Sequence, residues 1–307
     1  MDPGILVGGV IAVGLILPMI YWNSINDWPM LHFYQQFTGD FSGGGPLNFF
    51  ITQIAIISIL NAPIFVIGLY FYLRSNEGNG LRALGLTYII LYIFMTILNL
   101  KTYYLMPVYP MLYAGGALLI EKSSNSNKGV FRWFGSRPFI ASLVVVALLL
   151  APVVMPILSP PTMISKYGSS DYQMVNADRY GWSKMVSNLS KAYDVLPVYV
   201  KDQACIFTSN YGEASAINFF GPSLGLPKAI SGHNNYYIWG PGSCSGKVLI
   251  TVGIPLNSYQ QITQNATLLT TLECQYCISY EQNLPVYLWY NQSFSLVAAW
   301  PQLRHYD

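Results

Sequence analysis

The sequence predicts an α-helical membrane domain of about five transmembrane helices followed by a small extracytoplasmic α/β domain. Three observations carry this prediction. Of the 307 residues, 53% are hydrophobic and only 9% are charged, about a third of the charge expected of a soluble globular domain. Five apolar segments occupy the first half of the chain. The composition then changes at Leu158, after which eight basic and eight acidic residues return. The predicted domains are therefore residues 1–158, transmembrane, and 159–307, soluble. A net charge of +2 with scattered basic residues gives no ground for a nucleic-acid partner.

The apolar segments run from about Ile5 to Trp22, Leu47 to Leu73, Ala83 to Leu100, Thr102 to Ile120, and Phe139 to Leu158. Each is close to the roughly 17 to 25 residues that a tilted membrane helix needs. The first has Asp2 where a signal peptide would be basic and lacks a small-residue cleavage site, so it reads as a spanning helix. Its Gly8, Gly9 and Gly14 would let a neighbouring helix approach closely.

Arg74 and Arg82 flank the connection after the second segment, and Lys122, Lys128, Arg132 and Arg137 crowd the one after the fourth. The positive-inside rule places both connections in the cytoplasm. Asn23 to Pro46, the turn at Lys101 and everything after Leu158 then face outward, in an integral protein of the cell membrane. Ser159, Pro160 and Pro161 end the fifth helix. Beyond them, helices are expected over Gly181 to Asp194, Glu213 to Phe220 and Asn257 to Asn265. Strands are expected over Cys205 to Ser209, Lys247 to Gly253, Leu268 to Glu273 and Val286 to Tyr290. Strands alternating with helices make a small α/β layer.

The run Ser209 to Gly242 is dense in Gly, Asn, Tyr and Trp. It suits either a ring-packed loop or a surface offering flat rings and amides to a polar ligand, with His233, Asn234, Tyr236 and Trp239 as its binding groups. Lys101 precedes Tyr103, Tyr104, Met106, Pro107, Tyr109 and Pro110. There it reads either as a phosphate partner joined by tyrosine hydroxyls or as a snorkelling lysine in an aromatic belt. The outer loop holds Asp27, Trp28, His32, Tyr34 and Asp40. Asp27 and His32 can act as acid, base or metal ligand given a partner elsewhere, but no two-histidine ligand spacing occurs and no dedicated metal site is expected.

All four cysteines, Cys205, Cys244, Cys274 and Cys277, lie in the last third, where disulfides persist if that part is exterior. Cys274 and Cys277 follow an expected strand rather than open a helix, which favours a structural bridge over a redox motif. Cys205 with Cys244 would supply a second, although four cysteines allow three pairings. The sequons at Asn188, Asn265 and Asn291 fit an exterior domain. The pieces GPSLG and WGPGSCSG lack the ending of a phosphate loop and read as turns.

Six motifs in order, WPMLHFYQQ, KTYYLMPVYP, NYGEASAINFFG, SGHNNYYIWGPG, CQYCISYEQNLPVYLWY and WPQLRHYD, resemble the C-terminal half of prokaryotic membrane glycosyltransferases. These are the dolichyl-phosphate-mannose protein mannosyltransferase and aminoarabinose transferase superfamily, of the GT-C fold and similar to glycosyltransferase family 39. The resemblance implies a polyprenyl-phosphate-dependent hexosyltransferase. Such an enzyme moves a sugar from its lipid carrier to an acceptor protein or glycolipid on the outer face of the membrane. It makes Lys101, Tyr103 and Tyr104 the lipid-phosphate groups, and Asp27, Trp28 and His32 an edge of the active cavity. It implies no firm cofactor and leaves room for a divalent cation. The family pattern carries an acidic residue where this chain has His32. The family's catalytic carboxylate belongs to an N-terminal half that this sequence lacks, so neither Asp27 nor Asp40 takes its place and the catalytic residue is unassigned. The resemblance thus implies a fragment, a split subunit paired with a separate N-terminal half, or a chain without catalysis. A non-catalytic membrane-anchored carbohydrate-binding module is the alternative.

Overall fold

The computed structural model describes residues 3–37, 45–98, 100–126, 129, 131–256, 266–290 and 295–306. The expected helix at Asn257 to Asn265, together with Asp40, Lys128 and the asparagines Asn265 and Asn291, lies outside the described residues. Two compact units divide the chain: Met1–Phe33 with Val153–Asp307, and Tyr34–Pro152.

Among the described residues the first half holds helices and no strand: α1 (Pro3–Ile25), α2 (Pro29–Phe37), α3 (Gly45–Ile57), α4 (Ala62–Arg74), α5 (Arg82–Ile97), α6 (Tyr109–Ser124) and α7 (Arg137–Val154). Among the described residues four stretches are long and apolar enough to cross a membrane, or five if α3 and α4 count as one. The run Leu47 to Leu73 is not one straight helix. It breaks at Ser58, whose φ is +66°, and the two halves meet at 108°. Pro63, in the first turn of α4, has no N–H to continue the ladder from α3. The expected outer loop contains α2, which Pro29 opens at the position where a missing N–H costs nothing. Residues Thr102–Val108 form a 3₁₀ turn ahead of α6, because Pro107 and Pro110 both lack a donor.

The unit Tyr34–Pro152 packs around Phe49, Phe71, Tyr72, Leu105 and Leu112, all nearly sealed. Its tightest seam joins α4 and α6. A side chain at Gly68 would collide with the Leu112 carbonyl, and one at Gly116 with the Ile64 carbonyl, so the two helices meet backbone to backbone. Polar groups at its centre are paired internally, as an apolar surround favours. Gln53 donates to the Thr102 carbonyl at 2.7 Å and accepts from the Tyr109 hydroxyl. The Tyr72 hydroxyl donates to the Met111 carbonyl at 2.9 Å.

In the other unit α1 is exposed along its apolar length, and nothing lies within 4 Å of a side chain built at Gly8, Gly9 or Gly14. The close neighbour expected at those glycines is not found among the described residues. After α8 (Pro160–Tyr167), α9 (Ser169–Val175), α10 (Trp182–Asp194) and α11 (Val198–Lys201), the chain builds a five-stranded mixed sheet. Its elements are β1 (Ala204–Thr208), α12 (Tyr211–Phe220), β2 (Ala229–Ser231), α13 (Asn235–Trp239), β3 (Val248–Val252), β4 (Ala266–Glu273), β5 (Asn283–Tyr290) and α14 (Leu296–Ala299). The strand order is β2-β1-β3-β5-β4. β1 is parallel to β2 and to β3, with Ile206 opposite both Ala229 and Ile250. β5 runs antiparallel to β3 and β4.

Period-two alternation sorts the strands into two faces. Ile206, Val248, Ile250, Val252 and Val286 pack with Val186 and Leu189 of α10 and Ile217 of α12. Phe207, Ile230, Leu249 and Trp289 pack with Leu296, Trp300 and Leu303 near the end of the chain. Both disulfides pair as the spacing allowed, Cys205 with Cys244 and Cys274 with Cys277.

The glycine seam gives a first prediction. Gly116→Leu should destabilise the full chain by about 1–3 kcal/mol, the range for overpacking a close interface. Gly14→Leu, which meets nothing, should leave thermal unfolding in detergent unchanged.

Candidate functional site

The parallel strands β1, β2 and β3 end side by side, and α/β sheets place ligands at that edge. Asn210 caps α12 there. Its Oδ1 accepts from the Glu213 N–H at 3.0 Å, and the Glu213 carboxylate reaches back to the N–H groups of Ser209 and Asn210. The Asn210 amide donates to Glu281 Oε1 at 2.8 Å. Glu281 Oε2 is buried without a hydrogen-bond partner among the described residues. Burial and the neighbouring Glu281 raise the Glu213 pKa well above the usual carboxylate range. Burial likewise raises that of Glu281.

The end of the chain lies along the same edge. His305 is bridged to His233 as a short parallel pairing, and its ring stacks on that of His233 at 4.8 Å. Its two ring nitrogens lie 2.9 Å from the Leu303 carbonyl and 3.0 Å from the Ser209 carbonyl. The Asn234 N–H donates to the His305 carbonyl at 3.0 Å. Arg304 donates to Asp27 Oδ2 at 2.8 Å, and its guanidinium lies 5.7 Å and 5.9 Å from the rings of Tyr237 and Tyr306. Tyr306 in turn stacks on His32 at 6.0 Å. The Arg304 guanidinium holds the Asp27 carboxyl below its ordinary pKa.

Between these pieces lies a cavity of about 500 Å³, lined by α1 and α2 (Trp22, Pro29, Met30, Phe33), α12 (Tyr211, Ser215), the α13 region (Asn234, Asn235, Tyr236, Trp239) and Tyr306. Four of the sequence motifs, WPMLHFYQQ, NYGEASAINFFG, SGHNNYYIWGPG and WPQLRHYD, thus supply walls of one space. Its lining is aromatic rings, amides and hydroxyls together with the apolar Pro29 and Met30, and no charged side chain is among the described lining residues. The Tyr236 hydroxyl is fixed by Ser215 and the Asn218 amide, each at 3.2 Å. Three residues around it hold left-handed backbone, Asp27 at φ +62°, Trp28 at +50° and Asn234 at +52°, the kind of strain that persists where surrounding structure over-determines it.

Of the residues expected from sequence, Asn234, Tyr236 and Trp239 line the cavity. His233 is buried behind it against His305. Asp27 and His32 lie 3.5 Å apart and brace the cavity through Arg304 and Tyr306, while Trp28 is outside the lining. The segment around Trp28 to Tyr34, which the family resemblance makes a cavity edge, supplies Met30 and Phe33 to the lining; Tyr211, Ser215 and Tyr306 are not singled out by the sequence, because their convergence comes from the tertiary fold. No group of three or more His, Cys, Asp or Glu able to hold a metal occurs among the described residues.

Lys101, Tyr103 and Tyr104 belong to the other unit. Lys101 Nζ lies 6.0 Å from the Tyr103 ring, and the Tyr103 and Tyr104 rings meet edge to face at 5.1 Å. Thr102, next in sequence, accepts from Gln53. Gln53 lines an almost wholly apolar cavity of about 340 Å³ between α3, α4, α5 and Tyr109.

Carboxylates with raised pKa values stabilise the fold below the ordinary glutamate range, and that contribution is lost as pH rises through the raised values. Thermal unfolding of the full chain should therefore drop with rising pH. Glu281→Gln, which keeps an oxygen for Asn210, should flatten the drop; an unaltered slope would show that Glu281 does not cause it.

Compared with protein-family models, curated proteins and solved structures, the chain matches none, and the functional reading rests on its own chemistry.

Proposed function

We propose that this chain is the C-terminal half of a membrane glycosyltransferase, moving a sugar from a polyprenyl-phosphate donor to an acceptor on the outer face of the membrane. The observation that carries this reading is the 500 Å³ cavity. Rings that stack and amides and hydroxyls that hydrogen-bond, without a charged group, suit a neutral polyol. Lys101 with Tyr103 and Tyr104 supplies the complementary chemistry for the carrier's phosphate, beside an apolar cavity suited to a hydrocarbon chain.

In this mechanism an acceptor oxygen attacks the anomeric carbon, and the bond from that carbon to the phosphate oxygen breaks. The phosphate leaves with the electron pair, its charge met by the Lys101 ammonium and tyrosine hydroxyls. The acceptor proton passes to a general base, a role assigned to no residue of this chain. The second reading is a membrane-anchored carbohydrate-binding module, which needs no carboxylate, and none is among the cavity's described lining residues.

The test is transfer from a radiolabelled polyprenyl-phosphate sugar by this chain with and without an N-terminal half encoded beside it. Transfer only by the pair, reduced about a hundredfold to a thousandfold by Lys101→Ala, is the expected result. Full activity of Lys101→Ala would remove the lysine from the site. Sugar binding without transfer in any pairing would establish the module.

A further inference from the structure

Behind the Tyr236 and Trp239 wall lies a second, smaller cavity of about 190 Å³. Tyr236 and Trp239 line both spaces and meet edge to face at 4.7 Å. The far side of the smaller space is built from the Gly240 to Cys244 turn, the start of β2 and Lys228. Its floor is fastened by the Cys205–Cys244 disulfide, which ties β1 to that turn. By volume the larger cavity falls within the roughly 300–1,000 Å³ of a self-sufficient ligand site, and the smaller falls below it. The smaller space therefore makes sense as an extension of the first rather than as a separate site. Trp239 is 66% exposed and lines both spaces.

The chemistry on this side discriminates between extended ligands. A polypeptide would ordinarily dock here by adding a strand to the free edge of β2. That edge is already taken at Ala229, whose N–H donates to Asn218 Oδ1 at 2.8 Å and whose carbonyl accepts from Asn218 Nδ2 at 2.9 Å. A glycan needs no such edge; it needs ring faces, hydroxyl partners and the close backbone that the Gly240 and Gly242 turn provides. Lys228 is the one charged side chain among the described residues lining the two cavities.

We infer that the two cavities are adjoining subsites for a linear glycan of at least two sugar residues, a neutral residue in the larger and the next residue beside Lys228, with Trp239 stacked between them. This rests on the carbohydrate reading above and narrows the acceptor to an oligosaccharide or the glycan of a glycolipid.

The experiment titrates the full chain in detergent with neutral mannose oligosaccharides of one to four residues, following tryptophan fluorescence and, in parallel, calorimetry. Affinity should rise at least tenfold from one residue to two and then level off. Trp239→Ala should abolish the rise. Ser243→Trp, which fills the smaller cavity from an exposed turn position, should remove it while leaving monosaccharide binding intact. Equal affinity for one and for two residues, or a rise that survives both variants, would overturn the second subsite and leave the carbohydrate reading standing. No binding at any length by folded protein would overturn both.

Discussion

Arg304 holds the candidate site together. Its guanidinium satisfies Asp27 and lies against two tyrosine rings, so one side chain joins the link between α1 and α2, the α13 region and the end of the chain. The exposed ion pair by itself contributes little to stability. Its value is positional. Asp27 and Trp28 both sit in left-handed backbone, which side chains other than glycine enter at a cost; the buried Asn23 holds the turn from within, accepting from the Trp28 and Met30 N–H groups, and Arg304 fixes its carboxylate from outside. Tyr306, next but one in sequence, then has a defined place as a wall of the cavity.

Much of the architecture could be read from local pattern. Alternating apolar residues marked β1, β3 and the end of β5, and the face of α10 followed from Met185, Val186, Leu189 and Tyr193. Where the reading failed, the cause was usually a single backbone event inside a composition that looked uniform. Leu47 to Leu73 is apolar from end to end, and nothing but Asn61, Ala62 and Pro63 marks the sharp bend. The segment called a loop at Pro29 has a helix start in its proline, masked by the aromatic residues around it. The capping pair Asn210 and Glu213 was also present as a readable signal.

The site itself was legible as a set of motifs but not as a place. His233 looks like a surface group in a polar loop; it is buried because His305, far along the chain, stacks on it. Tyr306 and Tyr211 carry no distinguishing spacing. Sequence spacing reports neighbours on one helix or strand, whereas this cavity is assembled from four separated segments. The division of charge is informative in the same way. Lys101 belongs to one compact unit, and the cavity with no charged side chain among its described lining residues belongs to the other.

The Arg304 to Asp27 contact spans 277 residues of sequence. Contacts so distant form late, since the intervening chain must first be ordered. During synthesis α1 and α2 leave the ribosome long before their partner exists, so for most of the protein's making the turn at Asp27 and Trp28 has no guanidinium to fix it. Until Arg304 and Tyr306 have been made and docked, the cavity lacks the wall that Tyr306 supplies.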